Sequence, residues 1–108
     1  MNNKEFRRIT QARLNKTKTA LLAKGSEYAR GDRLSNFKEV ARMLGSTPET
    51  ALLGMVVKHI QVTVDFIHDI DRGVVQPYER WDEKLGDIVA YMILLEALVR
   101  ERLADNEP

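Results

Sequence analysis

The stretch from Thr47 to Leu103 reads TPETALLGMVVKHIQVTVDFIHDIDRGVVQPYERWDEKLGDIVAYMILLEALVRERL, and the spacing of its apolar residues decides the fold. Thr47-Pro48-Glu49 is a helix start. The Thr hydroxyl accepts a first-turn N–H, Pro at the first helical position forfeits no hydrogen bond, and Glu suits the positive end of the helix dipole. Leu52, Val56, His59/Ile60, Thr63, Phe66/Ile67 and Ile70 then recur at helical spacing and make one inward stripe to about Arg72, where Gly73 stops the helix. Pro77 opens another helix to about Leu103, with Trp81, Leu85, Ile88/Val89, Met92, Leu95 and Val99 on its buried side. Two long helices joined by a short turn form an antiparallel hairpin.

Working outward, Ser35 is the expected N-cap of a short helix whose Phe37, Val40, Ala41 and Leu44 face inward, with Gly45 as its left-handed terminator. A first helix runs from about Lys4 to Ala23, where Phe6, Ile9, Ala12, Ala20 and Leu21 give a weak stripe among Lys and Arg. Residues 25–34 form a polar connector carrying two glycines. No stretch alternates apolar and polar long enough for a strand. The expectation is an all-α fold, a small four-helix bundle built on the hairpin, in a single domain over residues 1–108. Met55, Phe66 and Met92 belong to its core.

The chain has 108 residues with 17 Lys and Arg against 16 Asp and Glu, and it contains no Cys. Disulfides, thiol nucleophiles and Cys-ligated metals are excluded together. No apolar run approaches the roughly 18 residues of a membrane span and the first residues are polar, so the expectation is a cytoplasmic protein with no membrane partner. The near-neutral total hides an asymmetry. Residues 1–42 carry a net charge of +7 and residues 43–108 one of −6. A basic half serves phosphates, on nucleotides or, through residues 4–18, on nucleic acid. Alternatively, the two halves pack on each other or on a second copy.

Polar residues that interrupt the apolar pattern mark the places where chemistry is expected. Asp87 sits in the most hydrophobic helix with Glu83 one turn before and Tyr91 one turn after, all on one strip. A carboxylate there needs a partner, either a basic residue of the first helices or a ligand. His59 falls inside the opposite apolar stripe, as a hydrogen-bonded core residue or, with Lys58 beside it, as a contact for a phosphate or carboxylate. No His-x-x-x-His spacing points to zinc. The connector and the helix after it supply Lys24, Glu27, Tyr28, Asp32, Arg33 and Asn36. Tyr28 suits stacking on a base and Asn36 reading its edge, Lys24 and Arg33 suit phosphate, and Glu27 and Asp32 suit Mg²⁺. Walker, Rossmann, nucleophile-elbow and HExxH signatures are absent, and residues 34–53 do not read as a helix-turn-helix.

The string Glu83-Lys84-Leu85-Gly86-Asp87-Ile88-Val89 resembles the second metal helix of MazG-like all-α nucleoside triphosphate pyrophosphohydrolases. The wider pattern of Lys24-Gly-Ser-Glu-Tyr-Ala, Asp32-Arg-Leu-Ser-Asn-Phe-Lys, Lys58-His59 and Leu94-Leu95-Glu96-Ala97-Leu98 is similar to small phage-encoded nucleotide-modification-associated proteins. The resemblance implies a helical fold that holds Mg²⁺ on carboxylates and cleaves a nucleoside triphosphate to monophosphate and pyrophosphate. It places Asp87 and Glu83 as catalytic and metal residues, with Glu27 and Asp32 as further ligands. Lys24, Arg33, Lys58 and His59 would meet phosphates, and Tyr28 and Asn36 the base. Two departures stand beside it. Lys84 occupies the position of the family's second glutamate, and residues 52–67 offer only Asp65 where the family has Glu-x-x-Glu. The alternatives are a nucleotide binder without hydrolysis, as in a phage counter-defence protein, and a helical module for nucleic acid or a protein partner. The long apolar faces add the expectation of a homodimer.

Overall fold

The computed structural model of the chain describes residues 1–25 and 31–106, with Lys24 and Gly25 described by their backbone alone. The protein is all-α. Among the described residues there are four helices and no strand: α1 (Asn3–Gly25), α2 (Ser35–Leu44), α3 (Pro48–Asp71) and α4 (Tyr78–Asp105). The chain divides into two compact units, Met1–Arg33 and Leu34–Pro108.

In the first unit, the Asn2 side chain caps α1 by accepting a hydrogen bond from the Glu5 N–H at 2.8 Å. Phe6 and Ile9, expected in an inward stripe, are exposed, as are Leu14 and Leu22. These residues do not keep to one side of the helix, so α1 has no face that could bury them all at once.

The second unit is the α3–α4 hairpin with α2 packed on α3. Thr47 caps α3 as expected, its hydroxyl accepting from the Thr50 N–H at 3.2 Å. Both helix ends expected at glycines are there. Gly45 and Gly73 take φ values of 64° and 82°, and the residue after each donates back to the helix, Ser46 to the Ala41 carbonyl and Val74 to that of Asp69. Two starts differ from expectation. Leu34, not Ser35, occupies the cap position of α2; its hydrocarbon side chain has no acceptor for a cap and is buried in the core instead. Pro77 precedes α4, which begins at Tyr78.

Hairpin pairing is fixed along its length. Arg102 donates through Nε and Nη2 to the two carboxylate oxygens of Glu49, at 2.7 and 2.8 Å, and so ties the start of α3 to the end of α4. At the other end the rings of Phe66 and Trp81 meet edge to face with centroids 5.2 Å apart, and the Arg80 guanidinium lies 5.0 Å over the Phe66 ring. The turn is held by Asp69, which accepts from Gln76 at 2.9 Å and from Arg72.

The core lies where α2 covers the hairpin. Leu34, Phe37, Leu52, Val56 and Leu98 are its buried members, with Met55, Ile88, Tyr91, Leu94 and Leu95 packed around them. The sequence stripes are therefore too wide. Ile60, Ile67 and Ile70 of α3, Leu85, Met92 and Val99 of α4, and Leu44 of α2 were expected inside and are exposed. Each helix buries only the flank that meets its neighbours, and one hairpin with one short helix on it cannot cover a second flank. The premise that no run approaches a membrane span does not hold for α3, which is long and apolar enough to cross one by length and composition, as the core helices of soluble proteins also are, and 22% of its apolar window is buried within the chain.

Candidate functional site

His59 is carried on the flank of α3 that also presents Leu52, Val56 and Phe66, and so faces α4. Opposite it, Asp87 brings Oδ2 to 3.4 Å from His59 Nδ1. Tyr91, one turn further along α4, sets its ring 5.7 Å from the imidazole at a 33° tilt. The contact between His59 and Asp87 is within ion-pair reach, yet Nδ1 is buried and makes no hydrogen bond. At 3.4 Å the two groups touch without hydrogen-bond geometry, and they form an ion pair only when the imidazole is protonated. The His59 side chain as a whole keeps 23% of its surface open.

A second polar atom in this unit has the same property. Asn36 Oδ1, in the first turn of α2, is buried without a hydrogen-bond partner. Leu34, two residues earlier, lies in the cluster against which Tyr91 packs. The start of α2 and the His59–Tyr91 contact thus share one core. Buried polar atoms are paired in the great majority of cases, and an unpaired one asks what it is there to meet.

The other expected site residues fall as follows. Lys58 is exposed and precedes His59 on α3. Glu83 is two-thirds exposed and its carboxylate lies 3.5 Å from the Lys84 ammonium, the residue that stands where the family's second glutamate was expected. Asp87, for which a basic residue of the first helices or a ligand was expected, meets His59 of α3. Asp32 and Arg33 belong to the first unit and each is engaged in an interaction. Glu27, Tyr28 and the Lys24 side chain lie outside the described residues.

Magnesium takes near-octahedral oxygen ligands, of which a protein supplies at least one or two converging carboxylates. Among the described residues no three His, Asp or Glu side chains come together. Asp87 lies against an imidazole and Glu83 against an ammonium. Of the four carboxylates that the resemblance assigns to Mg²⁺, Asp87 and Glu83 thus face groups of this chain, Asp32 belongs to the first unit and Glu27 lies outside the described residues.

Sequence reasoning missed a second polar cluster, at the other end of the hairpin. Lys38 of α2 pairs with Glu101 of α4 at 2.5 Å, next to the Glu49–Arg102 fork, and a shallow pocket of about 250 Å³ opens between them. The Arg102 hydrogen bonds hold the Glu49 carboxyl below its usual range, and Glu49 in turn raises the Arg102 guanidinium. These charges satisfy one another, so the cluster works as a clamp on the helix ends. The available signal was positional: residues near the two open ends of an antiparallel hairpin must meet. No family model, curated protein or solved structure matches the chain.

Proposed function

We propose that this chain is a nucleotide-binding protein, of the nucleotide-handling class to which its MazG-like and phage-type motifs point, with its ligand held beside Asn36, Lys58, His59 and Asp87. Besides Thr17 Oγ1 of the first unit, two buried side-chain polar atoms among the described residues have no hydrogen-bond partner, Asn36 Oδ1 and His59 Nδ1, and the first of them carries the reading, since His59 Nδ1 faces Asp87. Both belong to residues that the sequence pattern nominates for a nucleotide. Asn36 Oδ1 is an acceptor and fits a base N–H. The exposed Lys58 ammonium meets phosphate. Asp87 orients the imidazole, leaving its Nε2 edge to the ligand. Binding is favoured over hydrolysis because the Asp87 and Glu83 carboxylates already face a base and a cation of this chain.

The test is a thermal-shift screen against nucleoside and deoxynucleoside triphosphates, monophosphates and cyclic dinucleotides, with and without Mg²⁺, followed by chromatography of the incubated mixtures. The expected result is stabilisation of about 2.7 kcal/mol when ligand is a hundredfold above Kd, present without Mg²⁺ and with the ligand recovered intact. Mg²⁺-dependent release of monophosphate and pyrophosphate would establish the hydrolase instead. No shift with any nucleotide would overturn the site.

A further inference from the structure

The flank of the hairpin that the core leaves open carries its own pattern. On α3, Leu53, Val57, Ile60, Val64 and Ile67 follow one another at alternating steps of four and three residues. All but Val64, which is partly buried, are exposed. On α4 the same rhythm runs through Leu85, Val89, Met92, Val99 and Leu103, with Glu96 in the remaining position. This 4-3 spacing is the one that lets the knobs of one helix enter the holes of another.

The two seams lie on one face. At 100° per residue, the α3 seam sits about a quarter-turn from the line of Leu52, Val56 and His59, on the side away from Ala51 and Met55. The α4 seam sits about a quarter-turn from the line of Tyr91, Leu95 and Arg102, on the side away from Leu94, Leu98 and Glu101. Glu101 bonds to Lys38 of α2 and Leu98 shares a cluster with Phe37, so the side left behind in each case is the one α2 covers. In an antiparallel pair, equal rotations from the facing line bring both seams to the same surface.

We propose that this surface is where a second copy of the chain docks, face to face about a two-fold axis along the hairpin, so that α3 of each copy lies on α4 of the other in a four-helix core. Size supports a copy as the occupant. A helix of 24 residues is about 36 Å long, and two helices about 9 Å apart present a strip of roughly 700 Å² per copy, close to the roughly 800 Å² per partner of a stable interface. The symmetry also fits. The α3 and α4 seams have the same rhythm and run in opposite directions, so a two-fold axis along the hairpin lays each seam antiparallel against its counterpart on the other copy. Glu96 does not oppose this, because Arg100 neutralises it on its own helix, with Nε at 2.8 Å. A bilayer is the poorer occupant. α3 cannot enter it without α4, which carries Glu83, Lys84, Asp87 and Glu96 through its middle.

Sedimentation equilibrium of the full chain across a hundredfold range of concentration, alongside I60E/M92E and the control M43E, tests this. Met43 is exposed on α2, off the face. The expected result is a dimer for the wild type and M43E, and a monomer for I60E/M92E with its helical circular dichroism retained. Since the double variant risks misfolding, single-cysteine chains I60C and M43C give a second reading in a protein that has no other thiol. A short bis-maleimide should join I60C into dimers and leave M43C uncoupled. A wild type that stays monomeric throughout, whether or not it co-sediments with anionic vesicles, would overturn the proposal. So would an I60E/M92E variant that still dimerises.

Discussion

His59 Nδ1 and Asp87 Oδ2 stand 3.4 Å apart across α3 and α4, beside the Tyr91 ring and on the hairpin flank that also carries the core. With 40% of its side chain open, Asp87 is solvated enough that its loss costs little stability, whereas an oriented imidazole matters to any ligand. Asp87→Asn is therefore expected to weaken nucleotide binding about tenfold, or about 1.4 kcal/mol, while Tm moves by only a few degrees. Isothermal titration beside a melting curve checks this. A large Tm loss with unchanged affinity would make Asp87 purely structural.

The burial boundary on α3 gives a sharper test of packing. Leu52 is 1% exposed and sits in the cluster with Phe37 and Val56. Leu52→Ala should cost about 2–5 kcal/mol in chemical denaturation. Met43→Ala, at a residue 74% exposed, should stay within about 0.5 kcal/mol of wild type. Similar losses at both positions would mean that α2 is seated differently.

At the start of α3, the Thr47 hydroxyl accepts from the Thr50 N–H. Thr47→Ala removes that acceptor and should lower stability by about 1 kcal/mol, and Thr47→Ser should restore most of it. The measurement is the urea midpoint of each variant at constant m-value.

Acid should loosen both ends of the hairpin. Glu49 is held below its usual pKa of 4.5, first by its hydrogen bond to Arg102, and Asp69 below its usual 3.8, first by Gln76 and then by Arg72. A carboxyl whose folded pKa is depressed contributes stability that is present above its unfolded pKa and lost as pH falls through the folded one. Tm should accordingly be flat from about pH 7 to 5 and decline below about 4.5. Glu49→Gln should flatten part of that decline, at the expense of a few degrees near neutrality. A Glu49→Gln profile parallel to wild type would remove the pair from the account.

The sequence made the helices legible and the burial only partly so. Caps and stops are local events, so Thr47, Gly45 and Gly73 could be read from a few neighbouring residues, and the antiparallel hairpin followed from helix lengths and the short turn. Which flank is buried depends on where α2 lies, and that is a tertiary fact. Ile60, Ile67 and Met92 look like core because period alone cannot distinguish a flank that meets α2 from one that stays exposed. The site was legible as a set of polar interruptions, His59 and Asp87 among them, since any polar residue inside an apolar stripe needs a reason. Their pairing with each other was not, because nothing local fixes the register of α3 against α4. That register is set by Glu49 with Arg102 and Phe66 with Trp81, which are far apart in sequence.

Heteronuclear NMR of the side chains shows whether a nucleotide meets Asn36 and His59. Titrating ¹⁵N-labelled protein with the nucleotide that gives the largest thermal shift, without Mg²⁺, should move the Asn36 side-chain amide and the His59 ring nitrogens in step with a single saturation curve, while the Glu49–Arg102 end stays still. Saturable shifts confined to α1, with Asn36 and His59 unmoved, would contradict the account and assign the ligand to the basic first helix.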